Sequence, residues 1–151
     1  MKKVLLIICA TCLLLTSCGE SSLAIPSEVE EATPMQSAVM VQVNGKSFPA
    51  TLEDNPTARA FAEMFPLEID MTELNGNEKY FYLDADLPSD SVSVKQIHAG
   101  DLMLFGSNCV VLFYKDFATS YSYTRLGKID TPADLEKTLG AGNVRVTFAR
   151  Q

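Results

Sequence analysis

Aromatic and polar side chains of the kind that bind ligands are concentrated between residues 78 and 125. Tyr121 and Tyr123 are two residues apart, so in a strand they share a face. If Tyr80 and Phe113 face the same way on neighbouring strands, these rings line a concave surface with the Glu78 carboxylate at its rim. Such a surface suits a small ligand or an extended peptide; ordinary packing, with the hydroxyls reaching solvent, is the alternative. The candidate ligand-binding residues are Glu78, Tyr80, Phe113, Tyr121, Tyr123, Thr124 and Arg125.

Nucleophilic catalysis finds little support in the sequence. A Ser-His-Asp or Cys-His site needs a histidine base, and the single histidine, His98, falls in a polar, loop-like stretch. Cys109 opens an apolar strand, a setting typical of a buried thiol that acts as a small hydrophobic residue. The sequence therefore predicts no catalytic residues.

Metal and phosphate motifs are incomplete. Asp84, Asp86 and Asp90 have spacing that lacks the glycine and terminal glutamate of a calcium loop, so turn formation explains them. The stretch Gly140-Ala141-Gly142 follows a helical pattern and precedes a strand, which reverses the order of a dinucleotide-binding turn. Gly127-Lys128 has no upstream glycine of a phosphate loop. No metal or cofactor is predicted.

Alternating apolar residues predict a sheet that runs through most of the chain. Asn44-Gly45 is a strong hairpin signal between the first two strands, and Pro49 favours an edge position for the second. The last strand is patterned as strongly as the first. About eight strands are expected, with a further short one at 92–94, in residues 39–43, 48–52, 67–71, 79–83, 101–105, 109–114, 121–126 and 144–148.

Two short helices interrupt these strands. Asn55-Pro56 is a helix start, with Asn as N-cap and Pro in the first turn, and Pro66 ends that helix. Thr131-Pro132 starts a second helix that runs through Leu139, with Gly140 at its C-terminal stop. Mostly hairpin connections and well-patterned terminal strands favour closure, which removes sheet edges. The predicted fold is mainly β: a closed antiparallel β-barrel with two short helices.

The N-terminus resembles a lipoprotein signal. Lys2 and Lys3 precede the apolar stretch 4–15, which is shorter than the about 20 residues that span a bilayer but suits a signal sequence. Leu15-Thr16-Ser17-Cys18 then matches a lipobox, in which small residues precede a cysteine that receives the lipid. An uncleaved signal anchor and a secreted protein without lipid are the alternatives. We expect a signal peptide in residues 1–17 and lipidation of Cys18, which anchors the protein in the bacterial cell envelope outside the cytoplasm.

A flexible tether should follow the lipidated cysteine. Residues 18–38 are rich in Ser, Glu, Pro and Ala, which leaves residues 39–151 for one folded domain. If Cys18 carries lipid and Cys9 and Cys12 are removed with the signal, Cys109 has no disulfide partner. The formal net charge of −7, without a basic run, makes nucleic acid an unsuitable partner. The membrane link is then covalent.

The domain resembles the bacterial cyclophilin-like family over nearly all of residues 40–149. The order of elements also agrees with the cyclophilin barrel, in which two helices close eight antiparallel strands. The segments that carry the resemblance are VNGKSFPATLEDNPTARAFAEMFPL, MTELNGNEKYFYL, AGDLMLFGSNCVVLFYKDFATSYSYTRLGKI and GNVRVTF.

The resemblance implies the fold more than an activity. True cyclophilins are prolyl isomerases with an arginine on a strand after the first helix and a tryptophan and a histidine near the proline pocket. Here the corresponding strand, 78–82, has no arginine, and the chain contains no tryptophan. The leading hypothesis is therefore a non-catalytic module that binds a peptide or small molecule. The alternatives are a weak or degenerate peptidyl-prolyl isomerase and an envelope protein whose partner is another protein.

Overall fold

The computed structural model describes residues 37–151. The predicted signal peptide, Cys18 and nearly all of the predicted tether lie outside the described residues. Within them the chain forms eleven strands and two helices. The strands are β1 (Ala38–Val43), β2 (Lys46–Leu52), β3 (Leu67–Leu74), β4 (Glu78–Tyr82), β5 (Val92–Ser93), β6 (Gln96–Ile97), β7 (Asp101–Phe105), β8 (Cys109–Phe113), β9 (Phe117–Ala118), β10 (Ser122–Ile129) and β11 (Val144–Arg150); the helices are α1 (Pro56–Glu63) and α2 (Leu135–Leu139).

Eight of these strands form a closed antiparallel barrel, as the sequence predicted. They follow one another in the order β2-β1-β11-β3-β4-β8-β7-β10, and β10 returns to pair with β2. The patterned terminal strands β1 and β11 are neighbours, with Val41 opposite Phe148. The other three strands are two residues long: β5 pairs with β10, and β6 pairs with β9 in a separate ribbon.

The barrel closes where β10 meets β2. Gly127 pairs with Leu52, and the two backbones approach so closely that a Cβ at position 127 would lie 2.5 Å from the Thr51 carbonyl oxygen. Only glycine fits at such an approach without a backbone shift. The pairing also corrects the edge position that Pro49 suggested, because β2 has β1 on one side and β10 on the other.

The turn and the first helix follow their local sequence signals. Asn44 and Gly45 both have positive φ, 47° and 78°, as a two-residue hairpin turn requires. The Asn55 side chain caps α1 by accepting a hydrogen bond of 2.8 Å from the Ala58 amide. The second helix is shorter than predicted: the Leu135 amide donates to the Pro132 carbonyl, so a turn precedes α2. No helix within residues 37–151 is long and apolar enough to cross a membrane.

Alternating side chains divide the apolar residues into an interior core and a second cluster on the outer face. Both helices contribute to the core, α1 through Phe61 and α2 through Leu135 and Leu139. We call the second cluster the outer cluster. Apart from Ile97 of β6, its members lie on β7, β8 and β10, at every other residue from those that fill the interior. It consists of Ile97, Met103, Cys109, Val111, Phe113 and Tyr123.

Candidate functional site

Strand β4 carries the side chains that begin the site. Its neighbour β8 pairs Glu78 with Phe113, Tyr80 with Val111 and Tyr82 with Cys109. Because side chains alternate along a strand, Glu78, Tyr80 and Tyr82 lie on the outer face of the barrel. Lys79, between the first two, is fully buried on the inner side.

Lys79 fixes β4 from within. Its ammonium group donates to the Glu73 carboxylate at 2.5 Å and to the carbonyls of Gly140 and Gly142 at 2.7 and 2.6 Å. The Tyr114 hydroxyl lies 2.9 Å from both Glu73 oxygens. Burial acts to raise the pKa of Glu73, but hydrogen bonds from Lys79, Tyr114 and the Gly76 amide lower it on balance. This network joins β3 and β4 to the turn after α2.

An open groove runs across the outer face above the outer cluster. It encloses ≈ 490 Å³, within the usual range of small-molecule sites. Tyr80, Tyr82 and Val111 lie along the sheet, and the segment 117–121, which includes β9, lies opposite. The lining residues are Leu74, Asn75, Asn77, Glu78, Tyr80, Tyr82, Phe105, Cys109, Val111, Phe117, Ala118, Thr119, Ser120, Tyr121 and Tyr123.

The aromatic rings of this face support one another. Tyr80 and Tyr82 meet edge to face with centroids 5.7 Å apart. Phe105 contacts Tyr121 at 5.9 Å and Tyr123 at 5.6 Å, in the range of favourable ring pairs. Tyr82 and Tyr121 remain 59% and 62% exposed, so their faces are open to a bound molecule.

Polar groups at one end of the groove have unused hydrogen-bonding capacity. Glu78 is half-buried, and among residues 37–151 no side chain forms an ion pair or hydrogen bond with its carboxylate. Burial, and then repulsion from Glu73, raise the pKa of Glu78 above its usual value. Beside it, the buried Oδ1 of Asn77 accepts no hydrogen bond from any described residue. The Glu78 carboxylate is therefore an accessible acceptor without a side-chain donor, whereas Asn77 Oδ1 is enclosed by the protein.

Tyr123 and Cys109, two further titratable groups of the groove, stay neutral at physiological pH. Burial, and then the charge of Glu78, raise the pKa of the Tyr123 phenol. Burial raises the pKa of the Cys109 thiol to about 11. A protonated, buried thiol is a poor nucleophile, which agrees with the sequence interpretation of Cys109 as a small hydrophobic residue.

The structure brings together four of the seven candidate residues. Glu78, Tyr80, Tyr121 and Tyr123 line the groove. Phe113 lies beneath it, fully buried, with its ring 5.5 Å from that of Tyr123. Tyr121 and Tyr123 do not share a strand face as expected, because β10 begins at Ser122 and Tyr121 belongs to the preceding loop.

Thr124 and Arg125 do not line the groove. Thr124 is buried, and its hydroxyl accepts a hydrogen bond of 2.9 Å from the Asp90 amide, which holds the loop before β5. Arg125 is exposed, and its carbonyl accepts from the Asn55 side chain at 2.8 Å. Both residues therefore serve loop and helix attachment in this structure.

Sequence reasoning missed most of the lining. Tyr82 follows from the period of two that places Glu78 and Tyr80 on one face, so the pattern contained that signal. Phe117 and Thr119 carry no such signal, because their position depends on the pairing of β9 with the distant β6. Phe105 ends β7 directly opposite Cys109, and this register was not evident from the sequence.

The remaining chemically suggestive residues lie elsewhere. His98 is 64% exposed in its side chain and has Nδ1 3.8 Å from Asp116. Asp86 accepts a hydrogen bond from Ser107 at 2.8 Å. Within the part of the chain that the structure describes, no cluster of three or more His, Cys, Asp or Glu side chains is arranged to hold a metal ion.

Barrel and groove together define a class of protein: a closed antiparallel β-barrel domain with a ligand-sized groove on its outer face. The sequence profile of the cyclophilin-like family matches residues 41–149. The chain belongs to that family, as its sequence blocks suggested. The match covers the whole barrel except the first residues of β1 and the end of β11.

A solved structure shares this fold. It is the solution structure of a hypothetical protein from Archaeoglobus fulgidus, 17% identical in sequence, with a TM-score of 0.52. The likeness covers 76% of this chain and 95% of that one. At this identity the likeness concerns the fold alone. No curated protein matches the chain at a significant level.

Proposed function

We propose that the domain is a non-catalytic binding module that holds a peptide or small molecule in the outer groove. The observation that supports this most directly is the pairing of an aromatic lining with an unpaired carboxylate. Tyr82 and Tyr121 present exposed ring faces, while Glu78 supplies a carboxylate that no described side chain pairs with. Binding sites combine an apolar surface with a few such polar groups that orient the ligand.

Binding is favoured over prolyl isomerisation by the composition of the groove. The resemblance to true cyclophilins would require an arginine beside the substrate. Strand β4, which corresponds to the arginine-bearing strand, has the sequence Glu-Lys-Tyr-Phe-Tyr and holds no arginine. Among the described residues that line the groove, Glu78 is the single charged side chain at neutral pH. The proposal therefore assigns recognition, and no bond rotation, to this surface.

The proposal places the barrel in the cell envelope, held by lipid on Cys18. It rests on the short apolar stretch 4–15 and on the Leu15-Thr16-Ser17-Cys18 motif. Expression of the full chain with Cys18→Ala should release the protein from the membrane fraction, whereas Cys12→Ala should not. Membrane retention of the Cys18 variant would refute lipid anchoring at that residue.

The binding proposal is tested by NMR titration of residues 37–151, which close their own barrel. Xaa-Pro peptides and small aromatic molecules serve as ligands. We expect saturable shifts of groove amides without catalysed cis–trans exchange. Tyr121→Ala should weaken binding without unfolding, because its ring is 62% exposed. The control is Val92→Ala, a truncation at another exposed apolar residue, outside the groove.

Three results would decide against the proposal. Exchange at low protein concentration would show isomerase activity. Shifts that map away from the groove would move the site. Unchanged affinity in Tyr121→Ala would show that the Tyr121 ring does not contribute to binding.

A further inference from the structure

The charge of the groove selects among ligands. Among the described residues that line the groove, Glu78 is the one charged at neutral pH, and none is Lys, Arg or His. The whole chain carries a formal net charge of −7. An anionic ligand would therefore meet a carboxylate and no compensating cation, and like charges brought together cost affinity. A cationic ligand would instead be attracted by the Glu78 carboxylate.

We infer that the groove binds a small organic cation: an ammonium group on an apolar or aromatic body, with the nitrogen beside Glu78 and the body against the tyrosine rings. This inference rests on the proposed function, because it names the ligand class of the same groove. The volume of ≈ 490 Å³ suits a molecule of that size.

The donors of an ammonium group match what the end of the groove lacks. A primary ammonium has three N–H donors. The Glu78 carboxylate belongs to the lining, and no described side chain donates a hydrogen bond to it. A half-buried carboxylate without a partner is unfavourable in the free protein. A bound cation removes that unfavourable state.

The rings next to Glu78 add a second attraction for a cation. Tyr80 lies two residues along β4 on the same face, and Tyr82 meets it edge to face at 5.7 Å. Aromatic faces attract cations placed within about 6 Å of the ring centre. Tyr121 faces them from the opposite side of the groove. The tyrosine rings and the Glu78 carboxylate therefore both favour a positively charged ligand.

Three probes that share one aromatic body test this inference: phenethylammonium, phenethyl alcohol and hydrocinnamate, which end in a cation, a neutral hydroxyl and an anion. Each is titrated into residues 37–151 and followed by the NMR shifts of groove amides. We expect phenethylammonium to bind about tenfold more tightly than the alcohol, since a desolvated ion pair and a cation–π contact both favour it. Hydrocinnamate should bind most weakly.

Two charge-matched variants locate the effect. Glu78→Gln keeps the size of the side chain and removes its charge, so it should bring the cation and the alcohol to similar affinities. Glu63→Gln makes the same change in net charge at an exposed residue at the end of α1, outside the groove, and should keep the preference.

The outcomes separate this inference from the proposed function. Equal binding of cation and alcohol by the wild type, at the groove, would overturn the cation inference and leave the groove as a binding site. A cation preference that survives Glu78→Gln would also overturn it. If none of the probes shifts groove amides at millimolar concentration, the cation inference fails, and the peptide titration alone decides the proposed function.

Discussion

Replacement of Lys79 by Met should destabilise the barrel more than the same replacement of an exposed lysine such as Lys115. Lys79 is fully buried, and its ammonium group satisfies three acceptors: Glu73 and the carbonyls of Gly140 and Gly142. Met fills a similar volume but donates nothing. It therefore leaves two carbonyls without this donor and a largely buried carboxylate without its counter-ion.

Removal of one partner from a buried ion pair costs about 3–5 kcal/mol, because the other charge remains desolvated. The Glu73 side chain is 19% exposed, so water relieves only part of this penalty. Domains are stable by about 5–15 kcal/mol in total. The loss should lower the melting temperature by about 10–20 °C in a domain of this size.

Urea unfolding followed by circular dichroism measures this effect, since the chain has no tryptophan for fluorescence. The control is Lys115→Met. Lys115 pairs with Glu136 at 3.1 Å, but the two side chains are 47% and 60% exposed, and such pairs contribute at most about 1 kcal/mol. If both variants lose the same free energy of unfolding, the reasoning about Lys79 is wrong. Addition of Glu73→Gln to Lys79→Met should recover part of the loss, because it neutralises the orphaned charge.

Two further comparisons test the closure of the barrel and the two carboxylates near β4. Gly127→Ala should destabilise by about 1–3 kcal/mol, as overpacking does, because its Cβ would meet the Thr51 carbonyl at 2.5 Å. Gly142→Ala, which points into open space, should change the free energy of unfolding little; equal effects would refute the steric argument. Glu78→Gln should stabilise the protein at neutral pH and Glu73→Gln should destabilise it, because folding raises the pKa of the first and lowers that of the second. Urea unfolding across pH tests these signs. The stabilisation from Glu73 is present above the carboxyl pKa of the unfolded chain and disappears as pH falls through the pKa of Glu73 in the folded protein. The destabilisation from Glu78 appears as pH rises above the pKa of Glu78 in the unfolded chain.

The barrel could be predicted because alternating apolar residues mark its strands and turn residues mark the connections between them. Asn44-Gly45 set the first hairpin, and the period of two in β1 and β11 placed Val41 and Phe148 inside. The second helix was predicted too long, since residues 132–135 form a turn before it. Local signals of this kind do not show where a turn ends and a helix begins.

The site was predicted only where it follows from a single strand. Alternation placed Glu78 and Tyr80 on one face, and the same rule extends to Tyr82. The opposite wall depends on the pairing of β6 with β9, a contact between short segments without a periodic pattern. Lys79 shows the same limit, because a lysine faces the interior only when distant acceptors such as Gly140 meet it there.

The two sides of β4 together argue for a function on the outer face. The barrel interior is filled by packed side chains, so the proposed site lies on the outer face. On the inner side, the charge of Lys79 has a carboxylate and two carbonyls as partners, which is how a buried structural charge is accommodated. On the outer side, Glu78 is half-buried in an aromatic groove, and no described side chain pairs with it. The contacts of Lys79 explain why its charge is buried. Glu78 has no such explanation, because no partner within the fold stabilises its charge. The proposed ligand cation would supply the missing partner only when it is bound, and a site that is completed by its ligand is what recognition requires.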